Sequence, residues 1–219
     1  GPSVADLNAD GNQDLFVASS MNHPFRYHVN SVLLNEGGQI FRDAEFILGI
    51  EPRRGGQTAL PLFELDCSGL DANHQYCEGR SGKIAVWGAL GTRSAVIFDL
   101  DRDGDLDIVT SDLNSPPMVL TSNLTERNAA LRYLVVQLRG TKSNRDGLGA
   151  AVEVTLGDRV LTQVHDGQSG YLSQSSLPLY FGLDTAEAVD KVTVRWPSGS
   201  EQIIAGPIAV NQSLLVAEE

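Results

Sequence analysis

Basic residues, long apolar runs and cysteines are all scarce in this chain, and each scarcity excludes something. Lys and Arg number 16 against 28 Asp and Glu, giving a formal net charge of -12 over 219 residues. Gripping nucleic-acid phosphates or an anionic lipid surface needs a basic patch, so no nucleic-acid partner is expected. No stretch approaches the ~18 consecutive apolar residues of a membrane span, so no membrane insertion is expected either. Only two cysteines are present, too few for a structural zinc site of their own. Hydrophobic residues still make up 42% of the chain, enough to fill a core, and the length suits one or two domains at roughly 150 residues each.

The acids are unevenly placed. Eight of the 28 fall in two nine-residue windows, Asp6-Leu7-Asn8-Ala9-Asp10-Gly11-Asn12-Gln13-Asp14 and Asp99-Leu100-Asp101-Arg102-Asp103-Gly104-Asp105-Leu106-Asp107. Clustered carboxylates repel one another, which points to a bound cation or a disordered acidic tail. Each window runs directly into a β-type segment, Leu15–Ala18 or Ile108–Thr110, so the tail reading fails. Both windows read D-x-[DN]-x-D-G-x-x-D. Oxygen ligands at positions 1, 3 and 5 can converge on one hard cation, and Gly at position 6 permits the sharp turn. The backbone carbonyls of Asn12 and Asp105 would add further oxygens, with Asp14 and Asp107 closing the two shells. An EF-hand would need a bidentate Glu at position 12 and flanking helices. Position 12 is instead Val17 or Thr110, inside a β-type run. A solvated Asp-Gly hairpin would explain a single match, but two matches favour calcium loops between strands. The expected cofactor is therefore two Ca²⁺ ions, preferred over Mg²⁺ by the all-oxygen ligand set. They would neutralise four of the net negative charges.

Around the loops the chain repeats itself. Gly1–Ala5 and Arg93–Phe98 lead in as short strands, and Ser31–Leu34 and Met118–Leu120 follow, with Gln39–Asp43 added to the first unit after Gly37-Gly38. Such repeats of short antiparallel strands are typical of propeller blades. The predicted units are a blade over 1–52, an insertion over 53–90, a second blade over 91–128 and an all-β domain over 129–219. The insertion carries Cys67 and Cys77, whose spacing favours a local disulfide over free thiols and implies an oxidising compartment. The sequons at Asn123 and Asn211 are compatible with glycosylation after secretion. In the last unit the strand-like runs are Tyr133–Leu138, Ala151–Leu156, Arg159–Val164, Leu179–Phe181, Val189–Arg195 and Ser213–Val216. Gly157-Asp158 forms a hairpin turn between two of them, and a sandwich or small barrel is expected.

The two loops with their flanks resemble FG-GAP/VCBS repeats, the blade units of integrin-α-type propellers. The C-terminal part resembles the ASPIC/UnbV domain of the cartilage acidic protein family and its bacterial relatives. The residues carrying that likeness are Leu138-Arg139-Gly140-Thr141-Lys142-Ser143-Asn144-Arg145-Asp146-Gly147-Leu148-Gly149-Ala150, then Gly170–Gln174, Tyr180–Leu183 and Val194–Gly199. The resemblance implies secreted, calcium-dependent proteins of matrix or cell-surface contact. Closed propellers use about 4–8 blades, and two blades alone leave sheet edges open. A fragment of a longer propeller is the favoured explanation, and a self-assembling subunit the second.

No enzyme is expected. His165-Asp166 lies near Ser169 and Ser173 in sequence, but without a nucleophile-elbow motif. Asn144-Arg145-Asp146-Gly147 reads as a tight turn bonding its own backbone. Gly147 and Gly149 lack the strand-loop-helix setting of a phosphate cradle. Trp87 and Trp196 could stack on sugars or serve as core or interface aromatics. The expected function is that of a secreted, calcium-binding structural or adhesion protein with a protein partner, outside itself or a further copy. Alternatives are a carbohydrate-binding or accessory module of a secreted enzyme, with a glycan as partner, and an extracellular filament subunit.

Overall fold

Short runs rich in β-branched residues, separated by Gly, Asp and Asn, can bury one face only by pairing into sheets. The computed structural model describes residues 1–19 and 26–219 and bears out the all-β expectation. Strands β1 (Pro2–Ala5), β2 (Asp14–Val17), β3 (Ser31–Glu36) and β4 (Ile40–Asp43) form an antiparallel sheet in that order. The connection at 20–25 lies outside the described residues. Strands β5 (Ala59–Asp66) and β6 (Lys83–Ala89) pair as a separate ribbon. A third sheet joins β7 (Gly91–Phe98), β8 (Asp107–Leu113) and β9 (Val119–Leu120), followed by the single turn of helix α1 (Leu124–Arg127). The two loop-bearing sheets share one core, with Phe16, Ala18, Val32, Ala44 and Ile50 meeting Ala95 and Ile108.

The C-terminal part is a two-sheet sandwich. Strand β10 (Tyr133–Arg139) sits at the centre of its first sheet. It pairs antiparallel with β13 (Leu179–Gly182) and parallel with β16 (Gln212–Ala217). The second sheet orders β12 (Arg159–Val164), β11 (Ala151–Leu156), β14 (Ala188–Arg195) and β15 (Glu201–Ala209). Alternation decides which side chains turn inward: Leu134, Val136 and Leu138 from β10 meet Val152 and Val154 from β11 and Val192 and Val194 from β14. Each such buried aliphatic contributes about 1.5–3 kcal/mol relative to exposure. Among the described residues no helix is long and apolar enough to cross a membrane.

One strand departs from the sequence expectation. Strand β15 goes unanticipated because Gly206-Pro207 reads as a break. In the register these two residues oppose the single residue Asp190, forming a bulge. A Cβ on Gly206 would run into the carbonyls of Val189 and Asp190, so glycine is required by the close approach. The insertion is built on the β5–β6 ribbon, and Cys67 and Cys77 form the expected disulfide at its tip, packed against Leu65 and Val86.

Candidate metal centre

Each Asp-rich loop bridges the first two strands of its sheet, β1 to β2 or β7 to β8, and the two copies share a set of hydrogen bonds at positions 1, 5 and 9. At position 9, Asp14 Oδ2 accepts from the Leu7 N–H and Asp107 Oδ2 from the Leu100 N–H, both at 2.8 Å. Their other oxygens accept from the N–H groups of Asn35, near the end of β3, and Ser122, just after β9, at 2.7 and 2.8 Å. At position 1, Asp6 Oδ2 and Asp99 Oδ2 accept from Gly11 and Gly104. At position 5, Asp10 Oδ1 and Asp103 Oδ1 accept from the amides of Asn12 and Asp105. Even the strained residues coincide: Ala9 and Arg102 have φ of 58° and 67°. The repeat inferred from sequence is therefore a repeat of conformation.

The two loops differ in how their carboxylates group. In the second, one oxygen each from Asp99, Asp101 and Asp107 lies within 4.8 Å of the others. Asp103 and Asp105 group separately, with Glu126. Asp99 Oδ1 is buried and has no hydrogen-bond partner, an arrangement that costs free energy unless something positive meets it. Among the described residues Asp6, Asp10 and Asp14 make no such triad. There Asn8 and Asn12 replace two carboxylates, and both donate to Asp10, at 3.1 and 2.9 Å.

Burial, opposed by the Gly11 N–H and reinforced by the charges of Asp10 and Asp14, pushes the Asp6 carboxyl up to about 7. Asp103 is pushed up to about 6, again mainly by burial. Asp14 and Asp99 are raised for the same first reason. These groups resist ionisation in the bare fold, and an adjacent cation would reverse that preference. The residues thus fit a hard divalent ion: an unpartnered buried oxygen, an all-oxygen donor set, and carboxylates destabilised as lone anions.

Sequence reasoning gave no hint that the sandwich grips both loops. Asp6 Oδ2 accepts from the Gly182 N–H at 3.1 Å, and the Asp184 N–H donates to the Ala9 carbonyl at 2.9 Å. Arg159 donates to the Asp10 carbonyl at 2.7 Å. On the second loop, the Tyr180 hydroxyl donates to the Gly104 carbonyl at 3.0 Å, and Tyr133 stacks on Tyr180 with centroids 5.7 Å apart. A Cβ at Gly104 would penetrate the Tyr133 ring, so this glycine serves the contact as well as the turn.

The remaining residues singled out from sequence do not assemble with the loops. Ser169 and Ser173 hydroxyls donate to the Ala95 and Ser169 carbonyls, while His165 is buried at the end of β12, its pKa lowered by that burial. Asn144 closes the expected tight turn, its side chain bonding both the N–H and carbonyl of Leu148. Trp196 is a core residue of the sandwich with its indole N–H on Gln202, which corrects the sugar-stacking alternative at that position; Trp87 is exposed. Asn123 and Asn211 are exposed.

Taken together the elements define an all-β protein in which a C-terminal sandwich caps two loop-bearing sheets. Residues 140–219 match the ASPIC and UnbV family. The sandwich extends beyond that match, because β10 precedes it and forms the centre of a sheet. No curated protein matches the chain.

Proposed function

We propose that the protein is a secreted, non-enzymatic β protein whose loops, in sheets of the FG-GAP/VCBS type, hold Ca²⁺ and thereby fix the faces it offers to an extracellular partner. Asp99 carries this reading: its buried Oδ1 lacks a partner inside a carboxylate triad. The first loop would supply Asp6, Asn8, Asp10, Asp14 and the Asn12 carbonyl. The second would supply Asp99, Asp101, Asp107 and the Asp105 carbonyl, the Asp103 carboxylate grouping apart from them. When bound, the ion supplies positive charge that lets these carboxylates ionise together. The Cys67–Cys77 disulfide supports an oxidising compartment. There, modules with affinities of about 10⁻⁴–10⁻³ M are saturable by ambient calcium. Calcium titration calorimetry tests the reading. Asp99→Asn should abolish or weaken by about tenfold the second-loop binding, and Asp10→Asn the first. Isotherms unchanged in both variants would refute it.

Self-association is the second reading, and one observation favours it. Strand β4 is an open sheet edge, and Ile40, Phe41, Phe46, Ile47 and Leu48 on and just after it are all exposed, Ile47 by 79%. Edge strands of this kind template pairing with another strand. The occupant proposed is the β4 edge of a second copy. Sedimentation should then detect a dimer that Phe41→Lys removes; a wild-type monomer at all concentrations would exclude it.

A further inference from the structure

Glu126 stands outside both loop motifs, yet it completes a carboxylate triad. It lies on α1, the turn that follows β9 and leads into β10 of the sandwich. The neighbouring Thr125 docks this turn onto the second loop: its N–H and its hydroxyl both donate to Asp105 Oδ2, at 3.0 and 3.3 Å. One oxygen each of Asp103, Asp105 and Glu126 then falls within 4.8 Å of the others.

Two facts separate this cluster from an ordinary acidic surface. Asp105 is 1% exposed and its Oδ1 has no hydrogen-bond partner, although the carboxylate sits in the triad. In addition, among the described residues none of the three carboxylates forms an ion pair with Lys, Arg or His. Three like charges at this spacing repel, and a buried carboxylate oxygen without a donor carries the full desolvation penalty.

We infer that Asp103, Asp105 and Glu126 form a second divalent-cation site at this loop, distinct from that of Asp99, Asp101 and Asp107. Its ligand is a hard cation of the Ca²⁺ class, held by three side-chain oxygens with water completing the shell. The inference goes beyond the one-ion-per-loop reading, in which Asp105 contributes only its backbone carbonyl. Occupancy would tie the loop to α1 and so to the start of the sandwich.

The test counts Ca²⁺ ions per chain by equilibrium dialysis against ⁴⁵Ca²⁺, using the full chain. Glu126 is exposed, so Glu126→Gln leaves the fold intact. It should bind one ion fewer than wild type, whereas Asp101→Asn should lose a different ion and keep the Glu126 site. Their double variant should lose both. Wild-type stoichiometry in Glu126→Gln, with the loss in Asp101→Asn retained, overturns the second site and leaves the loop reading standing. Absence of calcium binding to wild type overturns both.

Discussion

At the scale of single residues, the carboxylates of the two loops differ in how fully the backbone already engages them. Asp14 and Asp107 place both oxygens on backbone N–H groups, so they close the loop whatever the ion does. Asp6 carries the clearest pH signature. Its carboxyl titrates at about 7 in the fold against 3.8 as a free side chain, because burial disfavours the anion. The folded state therefore holds a proton that the unfolded state releases as pH rises above 3.8. Stability from this group is fully present below that value, declines as pH climbs, and is gone above about 7. In EDTA, wild type should thus lose stability over this window relative to Asp6→Asn, measured as the difference in urea midpoints. Saturating calcium should remove the difference in slope. A pH-independent difference in EDTA would contradict the assignment.

At the scale of elements, sequence pattern was a good guide wherever a strand obeys alternation by itself. Strands β10 and β11 were legible because every second residue is apolar, and β12 because Gly157-Asp158 marks the turn that leads into it. Strand β5 was not, since Pro61 within it argues against a strand. The structure places Pro61 beside a bulge, where the missing N–H does no harm. Glu126 could not be found by motif, because what brings it to Asp105 is the Thr125 contact across 20 residues of chain. The same applies to Arg53, whose guanidinium meets Asp112 at 2.7 Å and Thr92 at 2.9 Å, linking the start of the insertion to β7 and β8. Both partners of that pair are buried, so Asp112→Ala would leave an unpaired interior charge. A loss of about 3–5 kcal/mol in chemical denaturation is expected, well above the value for a surface pair. Glu218 ties together Thr141, Lys142, Ser143 and Ser198. Burial alone would raise its pKa, but N–H groups of Ser143, Thr141 and Lys142 and the Ser198 hydroxyl hold it far below the usual range. This contribution is present above 4.5 and lost as pH falls below it, so Glu218→Gln should destabilise the sandwich at neutral pH. Equal wild-type and variant midpoints at neutral pH would count against this role.

At the scale of the whole molecule, the loops and the sandwich form one connected system. Gly182, Asp184 and Arg159 bond the first loop, and Tyr180 bonds the second while stacking on Tyr133. Anything that orders the loops therefore also steadies the sandwich, and docking the sandwich pre-organises the loops. Gly182→Ala tests the coupling, because a Cβ there would strike Asp6 and Ala9. The substitution should weaken calcium binding at the first loop while leaving the second loop near wild type. Equal weakening of both would instead indicate global damage. The central claim is that calcium belongs to the folded state, and thermal unfolding tests it most directly. At about a hundredfold excess over Kd, each occupied site adds about 2.7 kcal/mol, which for a chain of this size moves the Tm on the order of 10 °C for two sites. The account predicts a Tm raised to that extent by about 10–100 mM calcium, a hundredfold over the expected Kd, and lowered again by EDTA; melting curves that superimpose in calcium and in EDTA would contradict it.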